Sequence, residues 1–173
     1  MRWPADLPPD TLRQPDRVSC GAASVVAARV LLSPWRPDDD VGAEIRQEHR
    51  HLTSTRSPRD RFQLPWPRAL GTPPWAVANA LRALTGEHVA TVHVRPRPAI
   101  GYEVLRENLA TRPVAVYVGN RWLPRHVALA VGVTGEAIEV FDPAAGAVLT
   151  IGSARWAEHR VGIGGWSHFW FVV

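Results

Sequence analysis

The sequence predicts an α+β fold, and three observations carry that expectation. Proline-free apolar stretches with helical character occupy the first part of the chain. The C-terminal third changes to short runs rich in Val, Ile, Ala and Phe, of strand rather than helix length. Gly119-Asn120, Thr134-Gly135 and Ala145-Gly146 separate those runs as turn signals. Helices first and an antiparallel sheet afterwards is the α+β order.

The elements follow in sequence. Residues 1–19 read as an extended, proline-rich approach, of which 1–13 form an extended N-terminal segment. Gly21 to Leu32 (GAASVVAARVLL) is almost wholly apolar or small, so a core helix begins at or beside Cys20 and breaks at Ser33-Pro34. Asp38 or Asp39 caps a short polar helix reaching Glu48. Residues 49–72 are polar, interrupted by proline and without periodicity, and a connection of that length within a domain is usually functional or mobile. Pro73 and Pro74 suit the start of a helix that runs from Trp75 to Leu84 and stops at Gly86. Val89 to Val94 reads as a strand and Gly101 to Ala110 as a short helix. Five strands follow: Val114–Val118, His126–Val133, Ala137–Phe141, Ala147–Ile151 and Phe169–Val173.

Composition limits the function classes. With 173 residues, 46% hydrophobic and 21% charged, residues 1–173 are expected to form a single domain with a real core. The single cysteine excludes an intramolecular disulfide framework, no Cys/His cluster has zinc-site spacing, and no metal or organic cofactor is expected. No apolar run approaches the roughly 20 residues of a membrane span. The opening MRWPADLPPD lacks a signal-type apolar core. The expected location is therefore the cytoplasm, with export as an effector the alternative. All 20 basic residues are arginine, and the formal charge is +4. The arginines are scattered singly among Asp and Glu, which argues against nucleic-acid binding and is the composition a GC-rich genome produces.

Cys20 carries the chemistry. A helix start presents unpaired N–H groups and a positive dipole end, which favour the reactive thiolate. Gln14, six residues upstream, offers an amide NH2 that, with the Cys20 backbone N–H, would stabilise an oxyanion. The competing reading is a buried structural cysteine. A nucleophile needs a base and an orienting group. Of the seven histidines, His49, His51, His88 and His159 read as surface residues, whereas His93 and His168 lie in or beside strands and suit satisfied core positions. His126 opens an apolar strand that reads as buried on both faces. A three-residue loop at Thr134-Gly135-Glu136 would put residue 144 opposite His126, making Asp142 its diagonal neighbour on one face.

The order Gln14, Cys20, His126, Asp142 resembles the papain-like cysteine peptidases, specifically the bacterial branch of bacteriocin leader-processing (double-glycine) peptidases and their stand-alone relatives. The matching strings are Gln14 with Cys20-Gly21, Ala22-Ala23-Ser24, Gly71-Thr72-Pro73-Pro74, Arg112-Pro113-Val114, His126 to Gly132, and Asp142-Pro143. The resemblance implies a papain-like fold, N-terminal helices packed on a C-terminal antiparallel sheet. It implies a Cys20–His126–Asp142 triad with Gln14 in the oxyanion hole, acting on a peptide or protein substrate. Leader-processing members carry Asp immediately before the cysteine where this chain has Ser19, which argues against a double-glycine leader as substrate. Two other readings keep the same residues. One is a glutamine deamidase or transglutaminase-like effector, with an immunity or activating protein as its partner. The other is a non-catalytic peptide-binding module. Trp66, Trp75 and Trp122 are candidates to line a cleft.

Overall fold

The computed structural model describes residues 2–37 and 39–173, so the candidate cap Asp38 lies outside the described residues. Its elements are α1 (Cys20–Leu32), α2 (Val41–Leu52), α3 (Pro74–Thr85), β1 (Val92–His93), α4 (Pro98–Leu109), β2 (Val114–Gly119), β3 (Pro124–Thr134), β4 (Ala137–Asp142), β5 (Ala147–Gly152), α5 (Ser153–Ala157) and β6 (His168–Val172). The strands make one antiparallel sheet in the order β1-β6-β2-β3-β4-β5.

Side-chain alternation divides the core between the two faces of this sheet. Ala115, Tyr117, Val127, Leu129 and Val131 pack against α1, α2 and α3. Val114, Val116, Val118, Ala128 and Ala130 pack against α4 and α5. The sheet is therefore the middle of three layers, and its central strands are apolar on both faces, as the continuous runs predicted. The expected N-terminal helical layer is joined by a second one, because α4 and the single turn of α5 cover the opposite face. The sequence pattern gave no sign of α5, whose one large apolar residue, Trp156, is fully buried.

α1 is the internal helix. Ten of its thirteen residues are buried, and only a helix apolar all round tolerates that. Its small residues allow close approach, most severely at Gly21. A methyl group there would sit 2.6 Å from Cβ of Thr72, so the Cys-Gly pair is matched to the Gly71-Thr72 segment lying over it.

Several boundaries differ from expectation. α2 is capped by Asp40, whose carboxylate accepts the Ala43 N–H at 2.8 Å, rather than by Asp39, and it continues past Glu48 to Leu52. β1 is shorter than Val89–Val94 because the Val89 carbonyl is taken by Arg82 of α3 at 2.6 Å. α4 starts three residues before Gly101, at Pro98 in a position where its missing N–H costs nothing. The N-terminal segment is not simply extended: a 3-10 turn spans Pro9–Leu12, Leu12 is fully buried, and Trp3 stacks on Phe141 at 4.7 Å. The long connection after α2 is fastened by buried Gln63. Its amide nitrogen reaches the carbonyls of His51, Leu52 and Ser54, and its oxygen accepts from Asn79 at 3.2 Å.

Candidate active site

Three of the four singled-out residues meet at one end of the sheet. Cys20 is the first residue of α1, and the chain is turned into that helix by Asp16. The Asp16 carboxylate accepts the Val18 and Ser19 N–H groups, each at 3.0 Å. Burial would raise the Asp16 pKa, but these hydrogen bonds outweigh it, helped by the charge of His49, and the group titrates below its usual range. With Asp16 taking the preceding N–H groups, the first-turn N–H groups of α1 remain those a helix leaves without internal partners. One turn deeper, the buried Ser24 hydroxyl donates to the Val127 carbonyl at 3.4 Å, tying α1 to β3 beside His126.

His126 and Asp142 are both buried, with imidazole Nε2 2.7 Å from carboxylate Oδ1. That contact leaves Nδ1 for the thiol, and Cys20 and His126 line the same cavity. Burial alone would lower the His126 pKa. Hydrogen bonds and charge from Asp142 and Cys20 win, and the imidazole is held at about 9. Asp142 accepts two further hydrogen bonds, from Ala144 N–H to Oδ1 at 3.0 Å and from Gly164 N–H to Oδ2 at 2.9 Å. Burial would raise its pKa, but the hydrogen bond and charge of His126 and the two backbone donors bring it below the ordinary value.

Gly164 was not anticipated. It sits in the loop between α5 and β6, in the left-handed region at φ 57°, and a methyl group on it would lie 2.8 Å from Cδ2 of His126. The loop backbone thus covers the imidazole while fixing the carboxylate behind it. The run Gly162-Ile163-Gly164-Gly165 was the available signal, since such spacing marks backbone that must turn tightly or approach another group closely.

Gln14 is placed differently from the other three. Its backbone N–H donates to the Pro143 carbonyl at 2.9 Å, docking it beside the Asp142 segment. Its side-chain nitrogen donates to the Asp16 carbonyl at 2.5 Å, and its oxygen is buried without a partner. Gln14 does not line the cavity that Cys20 and His126 share.

That cavity measures about 710 Å³. Its walls include Trp66, Leu70, Pro73, Trp75, Leu123 and Phe171. Tyr117 also lines it; buried, its hydroxyl donates to the Thr72 carbonyl at 3.0 Å and joins β2 to the Gly71-Thr72 segment. Burial, and then the charge of Cys20, raise the Tyr117 pKa well above its usual value, so it stays a neutral donor. Trp66 and Trp75 meet edge to face at 5.3 Å. Trp122 does not line the cavity; it is 68% exposed, with the Arg121 guanidinium over its ring.

Two histidines expected at the surface are inside. His49 is buried because it shares the inward face of α2 with Ile45 and Leu52, and its Nε2 lies 3.3 Å from the Gly71 carbonyl. His159 is half-buried, accepting the Phe169 N–H at 3.1 Å on Nδ1, with Nε2 3.0 Å from the Arg95 carbonyl. His93, in turn, is exposed and packs its ring on Trp170 and Phe171. Arg112 is structural: its buried guanidinium donates to the Val173 carbonyl at 3.2 Å and to Asn108 at 2.9 Å.

Among the described residues, no group of three or more His, Cys, Asp or Glu is arranged to hold a metal ion, and no helix is long and apolar enough to cross a membrane. The chain matches no protein-family model and no curated protein.

Proposed function

We propose that this protein is a thiol hydrolase of papain-like architecture, a cysteine peptidase cleaving peptide or isopeptide bonds. The observation that carries the reading is the buried His126–Asp142 pair, 2.7 Å apart, set against the thiol at the start of α1 on the wall of an open cavity. A structural cysteine needs neither a base nor an orienter, and a peptide-binding module needs none of the three.

In the reaction, the thiol proton already resides on the His126 imidazole in a thiolate–imidazolium pair, and the sulfur attacks the substrate carbonyl carbon. Asp142 holds the ring in the required tautomer and stabilises its positive form. The oxyanion is met by the Cys20 backbone N–H; the Gln14 amide, which is committed to Asp16 and does not line the cavity, would add a second donor only after turning toward Cys20. His126 then returns its proton to the leaving nitrogen as the C–N bond breaks, and water resolves the thioester by the reverse use of the same groups. The cavity favours a peptide over an isolated glutamine side chain. Its volume of about 710 Å³ and largely apolar, aromatic walls suit a large side chain next to the reacting carbonyl better than an amide.

Iodoacetamide alkylation tests the pair directly because Cys20 is the sole thiol. Alkylation at pH 7 should slow by about tenfold or more in His126→Ala, since the imidazole is what generates the nucleophile. Cleavage of a diverse peptide mixture should disappear in Cys20→Ala. Alkylation indifferent to His126, with no thiol-dependent cleavage, would refute the proposal.

A further inference from the structure

The cavity beside Cys20 has a charge pattern as well as an apolar one. Two arginines line it, Arg17 and Arg125, and no aspartate or glutamate does. Each belongs to a segment carrying one of the reacting residues: Arg17 lies three positions before Cys20, and Arg125 directly precedes His126. Both are exposed, and neither takes part in any of the ion pairs found among the described residues. Other arginines are neutralised within the fold, as Arg29 is by Glu44 and Arg56 by Asp60. From the β2–β3 turn, the exposed Leu123 also lines the cavity, next to Arg125. An apolar hollow rimmed by uncompensated guanidinium groups repels a basic segment and attracts an acidic one, and guanidinium is the cation best shaped to hold carboxylate.

We infer that the site selects peptides in which a large apolar side chain is flanked by a carboxylate, the apolar group filling the hollow between Trp66, Trp75 and Phe171 and the carboxylate meeting Arg17 or Arg125. The inference rests on reading Cys20 as the reacting thiol, but its test does not require turnover.

Binding is measured on full-length Cys20→Ala by the quenching of intrinsic tryptophan fluorescence, since Trp66 and Trp75 line the cavity. Four synthetic peptides share a central Leu-Phe pair. Three are amidated and flanked by Asp, Lys or Ala; the fourth is flanked by Ala and keeps a free C-terminal carboxylate. At low salt the Asp peptide should bind on the order of tenfold tighter than the Lys peptide, with Ala between. That preference should collapse in Arg17→Gln/Arg125→Gln and at high salt. These arginines are exposed and unpaired, so the double variant is expected to fold. A free-terminus peptide equal to the Asp peptide would support the inference and assign the carboxylate to a chain end, and a weaker one would support it and assign it to a side chain. Equal or tighter binding of the Lys peptide, a preference unchanged in the double variant, or no binding by any peptide overturns the inference. So does a single-stranded oligonucleotide that binds as tightly as the Asp peptide. Loss of the hydrolase reading would appear instead in the alkylation experiment, which these outcomes do not affect.

Discussion

At the scale of single residues, His126 binds its proton more tightly in the folded chain than an exposed histidine does. Its pKa is about 9 against an ordinary 6.5. A pKa raised on folding stabilises the fold in full below pH 6.5 and progressively less as pH rises through about 9. Asp142 runs the other way: its pKa is lowered, so its contribution is complete above the ordinary 3.8 and is lost as pH falls through the folded value. The pair should therefore stabilise most between about pH 4 and 6.5. Urea midpoints should fall between pH 6.5 and 9.5 in the wild type and run flatter over that interval in His126→Gln. An identical slope in both proteins would place the titrating group elsewhere.

At the scale of elements, the β3–β4 hairpin shows what a sequence can and cannot specify. Counting a three-residue loop gave residue 144 opposite His126. The turn is in fact the two residues Gly135-Glu136, with Thr134 paired to Ala137, which alone would shift the register by one. A bulge at Val131 restores it: Leu129 pairs with Phe141, and extending that register returns residue 144 to His126. Counting reached the right pairing only because the shorter turn and the bulge offset each other: β3 is apolar on both faces, so no alternation marks its register, and nothing local in Ala130-Val131-Gly132 requires the bulge. The same division holds across the site. Cys20 and Asp142 stand at element boundaries that local patterns mark, and His126 opens the apolar run of β3, although the strand itself begins two residues earlier at Pro124. Ser24, His49 and Gly164 acquire their roles only from contacts distant in sequence. The loop carrying Gly164 can be tested through the imidazole beneath it. Gly164→Ala strains a left-handed residue by about 1–2 kcal/mol and presses on Cδ2 of His126. It should lower kcat more than it changes KM, and the His126 pKa, read by NMR, should fall from about 9 as the displaced ring loses its 2.7 Å contact with Asp142. A variant with reduced stability but an unmoved His126 titration would reduce this loop to a packing role.

At the scale of the whole molecule, the three layers were only partly foreseen. Helix-then-sheet order predicted one helical layer on one sheet. The second arose because α4 and α5 follow strand segments that both faces of the sheet must cover. The thiol comes from the helical layer on one side, whereas imidazole and carboxylate come from the sheet, and near the site the two are joined by a shared apolar core and by hydrogen bonds that include Ser24 to Val127 at 3.4 Å and Tyr117 to Thr72 at 3.0 Å. The distance between thiol and imidazole is thus set by how α1 packs on the sheet, and the Cys20–His126 pair behaves as a gauge of that registry. A slip of about 1 Å between layers costs little burial but is enough to cost roughly a hundredfold in rate. On gradual heating, His126-dependent alkylation of Cys20 should therefore fade before far-ultraviolet circular dichroism reports any loss of helix. Coincident transitions would mean that the layers part only when the molecule unfolds. With fading first, the site would fall silent through a reversible misalignment while the fold is still whole.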